Sequence, residues 1–397
     1  MKKILLGTSA LIGAATLLAG AAYADDPKVT IGGFSTFEAA YTESDSSNGQ
    51  RKIAFRNDNE IHFNVAGKTD QGLGYGAEID LQADIEGSPA TTAGSTNSGI
   101  TARRTYGWLQ GDQWGHFEFG SNDSAARNLK VDASNIARAT GGIDGDWYLF
   151  ANTNSATAGS PTFGNNTTTK FITVPRLPVE AGPANGFASD VWGNDTKITY
   201  YTPRFSGFQL GVSYAPDMAD RGQNTNLNNT TTNDASDVYS GGLNYENQFD
   251  QIGVAAAVTG EHANTQNNLA VTNGNDVEAW NGGLKLSYMG WSAAGSYGDW
   301  RDSLAANGTT ADYWTGGIAY ETGPFGASVT YMGSEVKPTG QDDKFQDVSV
   351  GVDYKLAPGL TPFVEYTWYD IDPSGAAATV GAENKGSVVI VGSQLSF

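Results

Sequence analysis

No cysteine occurs among the 397 residues, so neither a disulfide nor thiolate chemistry contributes to this chain. Basic side chains are scarce: 23 Lys and Arg stand against 43 Asp and Glu, a formal net charge of -20. Nucleic acid is met with Lys and Arg at its phosphates, so this balance argues against it as a partner. The three histidines, His62, His116 and His262, are scattered and form no HExxH pattern. No nucleophile elbow is present. Gly72, Gly74 and Gly76 imitate half of a dinucleotide fingerprint, but no helical pattern follows them. Catalysis has no motif to rest on, and the expectation is that the chain is not an enzyme. Long apolar runs are missing too. Past the N-terminal segment nothing approaches the roughly 18 apolar residues of a membrane helix. The longest runs, such as Ile252 to Val258, are strand-sized.

What is abundant points elsewhere. Glycine contributes 51 residues and aromatics 11%, while hydrophobics reach only 39%. That is poor material for a dry core and good material for strands with one wet side. The first 24 residues read as an export leader. Lys2 and Lys3 form its basic start, Ile4 to Ala19 its apolar stretch, and Ala22-Tyr23-Ala24 a small-x-small cleavage site. The expected mature chain, 25–397, is one domain.

Its dominant pattern is a period of two. Leu73, Tyr75, Ala77, Ile79, Leu81, Ala83 and Ile85 alternate with Gly74, Gly76, Glu78, Asp80, Gln82 and Asp84. Successive strand residues face opposite ways, so one face is apolar and the other acidic. The same alternation runs through 60–65, 208–214, 279–288 and 347–356. Short turns fall at 70–72, 111–113, 204–207, 250, 289–290, 323–324 and 357–359. Longer polar stretches fall between them, at 43–52, 87–101, 122–194, 216–235, 261–275, 302–311, 337–343 and 372–385. Seven turns alternating with eight loops give about 16 strands. A soluble sandwich has no reason to gather every long loop at one end, whereas outer-membrane barrels have this layout. In hydrocarbon every backbone N–H and C=O needs a protein partner, which requires closure. At this strand number side chains no longer fill the interior and a water channel remains.

Aromatics cluster at strand ends, as membrane-interface belts require. Trp114, Phe208, Phe249, Tyr288, Trp291, Tyr320, Phe325, Tyr354 and Phe363 sit beside the short turns; Tyr41, Trp300 and Trp314 sit near the long loops. The last strand ends in Phe397, with Val389, Val391, Leu395 and Phe397 on one face. Gly392, Gln394 and Ser396 lie on the other, and Ile390 is the exception. To close the barrel this strand has to pair with the first, near 28–42.

Two segments carry a resemblance. Arg103-Arg-Thr-Tyr-Gly-Trp-Leu-Gln-Gly-Asp-Gln-Trp-Gly-His-Phe-Glu-Phe-Gly120 resembles the strand–turn–strand before the constriction loop of Gram-negative general porins. The stretch from Ile198 to Asp217 resembles the return hairpin of alphaproteobacterial porins. The resemblance implies an all-β, up-and-down, 16-stranded transmembrane barrel, assembled as a homotrimer in the lipid and lipopolysaccharide outer membrane. It implies passage of small hydrophilic solutes and ions. It also makes Phe397 part of the signal read by the barrel-assembly machinery. The third long loop, 122–194, would fold into the lumen, with loop acids set against basic residues on the facing wall.

Matched residue by residue, that constriction would take Asp144 and Asp146 from Gly141-Gly-Ile-Asp-Gly-Asp146, and Arg103 as the wall arginine. The parity argument for Arg103 is that Tyr106 and Trp108 point outward. Arg56 and Lys197 are further wall candidates. Glu78, Asp80 and Asp84 would form an acidic lumen face, joined by Glu60, Asp347, Asp353 and Glu365, and this predicts a mild preference for cations. No cofactor is expected. Asp370-Ile-Asp-Pro-Ser-Gly375 opens like an EF-hand loop, but Gly381 stands where the required Glu belongs, so only a calcium ion in the acidic loops at large stays open. A solute-specific channel of the same fold is one alternative. A surface adhesin is another, supported by the Asn/Thr-rich run from Asn224 to Asp234.

Overall fold

The computed structural model describes residues 25–45, 51–83, 100–151, 164–165, 170–181, 193–218, 221–222, 235–265, 275–303, 309–337, 342–373 and 383–397. The leader, Asp84 and the whole Asn/Thr-rich run lie outside them. In chain order the strands are β1 (Asp25–Ser44), β2 (Ile53–Lys68), β3 (Gly74–Gln82), β4 (Thr101–Gly111), β5 (Gly115–Ser121), β6 (Gly164–Asn165), β7 (Lys170–Phe171), β8 (Thr196–Tyr201) and β9 (Phe208–Asp217). They continue as β10 (Ala235–Phe249), β11 (Ile252–Thr265), β12 (Val277–Tyr288), β13 (Trp291–Arg301), β14 (Thr310–Thr322), β15 (Phe325–Lys337), β16 (Asp343–Tyr354), β17 (Leu360–Asp372) and β18 (Asn384–Ser396). The two-residue strands β6 and β7 pair only with each other, and the other sixteen close into one antiparallel barrel.

Each barrel strand pairs with its sequence neighbours, with β5 joined directly to β8. The seam is β1 against β18, in unbroken register from Phe34↔Ser396 to Ser44↔Gly386. Beyond it, Phe397 and Gly33 exchange both backbone hydrogen bonds at 3.1 Å. The short turns are tight because their residues permit it. In Met289-Gly290 both φ angles are positive, 48° and 87°, the twist-matched geometry of a two-residue hairpin.

The apolar face is exposed, as the alternation requires: Leu284, Leu286, Val350, Val352, Val391 and Leu395 all stand open on it. Small polar residues such as Ser213, Thr259, Asn281, Thr315, Thr330, Ser349 and Thr367 are buried on the opposite face.

Several aromatics depart from the expected belts. Trp300 is buried, its indole N–H donating to the Arg176 carbonyl at 2.9 Å, and Phe363 is also buried. Tyr106 and Trp108 lie on the polar face, contrary to the outward placement read from the sequence. The Tyr106 hydroxyl donates to Glu78 at 3.0 Å, and the Trp108 ring lies 5.8 Å from His116. Ile390 lies on the polar face of its strand, the apolar exception read from the sequence. With Val388, Phe345, Tyr369 and Ile371 it forms an apolar patch within the polar face, and that patch is where the long connection between β5 and β8 lands.

Candidate constriction site

The connection leaves β5 at Ser121 and follows the polar face strand by strand. Its first helix, α1 (Ala125–Leu129), is capped by the Ser124 hydroxyl. The amide of Ala125 donates to Ser213 Oγ at 2.8 Å, Asn128 to the Tyr201 hydroxyl at 2.7 Å, and Asn244 to the Leu129 carbonyl at 3.1 Å. Further on, Ala133 N–H reaches Thr315 on β14 and Arg138 N–H reaches Ser328 on β15. On β17 the Glu365 carboxylate accepts from Thr140 Oγ1 at 2.7 Å and from the Gly142 amide at 3.1 Å. Helix α2 (Trp147–Phe150) then seats Trp147 on the apolar patch, stacked 6.0 Å from Phe345 and 5.4 Å from Tyr369. A return stretch recrosses the same face. Ser334 donates to the Ile172 carbonyl, Trp300 to that of Arg176, and the Val179 amide, in α3 (Pro178–Ala181), to Glu261.

The charged wall stands on β1 to β4. Arg56 reaches Asp146 at 3.1 Å and Glu38 and Asp58 at 3.4 Å. Arg103 holds Glu60 at 2.7 Å. Arg104 holds Asp80 at 2.7 Å, with Asp123 at 3.4 Å and Glu78 at 3.7 Å. The two adjacent arginines share a face because β4 carries a bulge: Asp80 pairs with Arg104 and Leu81 with Ala102, leaving Arg103 as the extra residue. Arg103 therefore reaches the polar face through the bulge, not through simple parity. Arg104 has the parity of Tyr106 and Trp108, and sequence reasoning missed it. The only signal for it was the Arg-Arg doublet.

The remaining candidates fall in different places. Asp144 pairs within the loop, with Arg176 at 2.9 Å. Burial raises its carboxyl, but Arg176, Lys130 and Arg127 outweigh this and hold it below the ordinary range. Lys197 is buried instead of lining open space. Its ammonium donates to the carbonyls of Asn122 and Gly193 and pairs with Asp195 at 3.0 Å, so it clasps the two ends of the connection together. Asp80 is fully buried and Glu78 mostly so. Asp370, first of the EF-hand-like acids, is engaged by Lys385 and Gln346, and the motif continues outside the described residues. Arg127, one of the mixed charges in the first part of the loop, bridges Asp123 at 3.5 Å and Glu180 at 3.1 Å, while Arg176 was missed by sequence reasoning.

A sixteen-strand barrel with an apolar exterior and a charged, loop-crossed second face defines an outer-membrane channel. A family model described as Gram-negative porin matches residues 7–374, and the chain belongs to that family. It is a porin of the bacterial outer membrane. An uncharacterised protein of Rickettsia typhi is 26% identical, with all of both chains covered. Among solved structures, the anion-selective porin from Comamonas acidovorans has a TM-score of 0.64 at 16% identity, covering 94% of this chain and 100% of that one. OmpT of Vibrio cholerae, in a trimer form, has a TM-score of 0.56 at 11% identity, with coverages of 94% and 100%. At these identities the two likenesses speak for the fold.

Proposed function

We propose that this porin is a general diffusion pore for small hydrophilic solutes with a mild cation preference. In this reading the polar face is the lumen wall and the β5–β8 connection narrows it. Arg56 and Asp146, with Arg103 and Arg104 nearby, set the neck. The observation that carries the proposal is the charge balance. Arg56, Arg103, Arg104, Arg127, Lys130, Arg138, Arg176 and Lys197 each lie within 4.0 Å of a carboxylate. Carboxylates outnumber them on the wall, where Arg56 faces Glu38, Asp58 and Asp146, and Arg104 faces Glu78, Asp80 and Asp123. The cations are thus neutralised locally and an acid surplus remains, which raises the local cation concentration and is weakened by salt. The homotrimer belongs to the same proposal, supported by family membership and by the trimer form of OmpT.

One observation favours the opposite sign. Arg56, Arg103 and Arg104 form a file on a single wall, and a porin of similar fold is named as anion-selective. The reversal potential of the purified protein in a planar bilayer under a KCl gradient decides between them. A potential of cation-selective sign supports the proposal, and one of anion-selective sign overturns it. Current that rises with bulk salt without saturating marks a general pore; saturation and block by one solute mark a specific channel.

A further inference from the structure

We propose that Glu60, His62 and Asp80 form a binding site for a first-row divalent metal ion of the zinc type. The three sit on the polar face of β2 and β3. Glu60 and His62 are two residues apart on one strand, and His62 pairs in register with Asp80 on the next. One donor atom from each lies within 4.8 Å of the others. Ligands about 2.1 Å from a tetrahedral zinc stand about 3.4 Å apart, so small side-chain rotations close the set. One imidazole and two carboxylates suit such an ion, and the part-exposed face of His62 leaves a fourth position to water.

Three features separate this cluster from an ordinary acidic wall. First, Asp80 is fully buried, and its Oδ1 has no hydrogen-bond partner. A buried carboxylate oxygen left unsatisfied is costly, and a metal ion would satisfy it. Second, the arginines take the other oxygens. Arg103 holds Glu60 Oε1 and Arg104 holds Asp80 Oδ2, which leaves Glu60 Oε2 and Asp80 Oδ1 for a metal. Charged partners on the distal oxygens orient ligating carboxylates, as outer-sphere groups do in metal sites. Third, the local charge fits. Glu60, Glu78, Asp80, Asp123 and Glu180 face Arg103, Arg104 and Arg127, a difference of two negative charges with His62 neutral. Binding would replace the present His62 Nε2 to Glu60 Oε2 contact of 2.8 Å, with the neutral ring carrying its N–H on Nδ1.

The site's effect on current rests on the reading of the polar face as lumen, but the binding does not. The test is calorimetric titration of the purified full-length porin in detergent with ZnCl2, alongside the absorption spectrum with Co2+. One saturable site per chain and the intense visible bands of tetrahedral Co2+ are expected. In His62→Gln the affinity falls by about tenfold or more and the bands disappear. Zn2+ lowers the single-channel current of the wild type and leaves that of H62Q unchanged, while both conduct alike in EDTA. Equal zinc affinity in the wild type and H62Q overturns the site, as does no saturable binding, or Co2+ bands that persist in H62Q. Absence of conductance in EDTA overturns the pore reading instead, and the isotherm still decides the site.

Discussion

Asp123 shows how a single side chain in the connection is held ionised. Burial raises its carboxyl, but Arg127, Arg104, Arg103 and Lys197 prevail and bring it down to about 2. A folded value below the ordinary carboxylate value means the ionised form stabilises the docked loop. That contribution is complete above the ordinary value and is lost as pH falls toward about 2. The drop from the ordinary 3.8 corresponds to roughly 2 kcal/mol. Closure events in single-channel records should therefore be flat from neutral pH down to the ordinary carboxylate range and rise below it. Asp123→Asn should show raised closure at neutral pH and little further change on acidification. A variant that tracks the wild type at every pH would mean that Asp123 does not hold the docked loop. The porin resemblance sets loop acids against wall bases without pairing them, and the structure brings Asp146 to Arg56 at 3.1 Å. Arg103 reaches the polar face for another reason, because a bulge is a register event that no parity count detects. Lys197 shows the limit from the other side: its strand position was legible, but its burial depends on where both ends of a long connection run.

At the level of elements, the strands were legible because each carries its own evidence: a period of two, a turn residue that tolerates positive φ, and a polar run at the other end. The connection between β5 and β8 carries none. Its anchors are groups far away in sequence, such as Glu365 under the Thr140 and Gly142 amides and Phe345 and Tyr369 under Trp147. The expectation of a wet inner side fails where that connection lands, since β16 to β18 present an apolar patch there. Its close approach also explains a glycine. A Cβ on Gly283 of β12 would lie 1.7 Å from the Val131 carbonyl oxygen, so only glycine lets the loop backbone rest on the wall. Two substitutions test the docking without touching the barrel ladder. Trp147→Ala removes a fully buried ring, a change that typically costs 3–5 kcal/mol. Gly283→Ala forces the loop off its seat. Both should fold to heat-modifiable barrels of normal yield and show larger, noisier currents. Quiet, wild-type currents from both would mean that the loop does not set the neck.

For the whole molecule the controlling event is closure. The β1–β18 seam already holds eleven registered residue pairs before Phe397 adds its two hydrogen bonds to Gly33. Losing those two bonds costs about 1–3 kcal/mol at a typical net contribution, too little to open a finished barrel or alter its lumen. The Phe397 ring stands exposed on the apolar face, opposite the face that carries the loop and the charged wall. A large effect of its removal would therefore have to arise during assembly. Deleting Phe397 should lower the yield of inserted barrels severalfold while the surviving channels keep wild-type conductance. Phe397→Ala separates the two contributions of the residue, because it keeps the backbone bonds to Gly33 and removes only the ring. If the ring is what the assembly machinery reads, the alanine variant loses yield as badly as the deletion. If the seam is what counts, it inserts nearly as well as the wild type. Normal yield with altered conductance in either variant would contradict the placement of Phe397 at the closing edge.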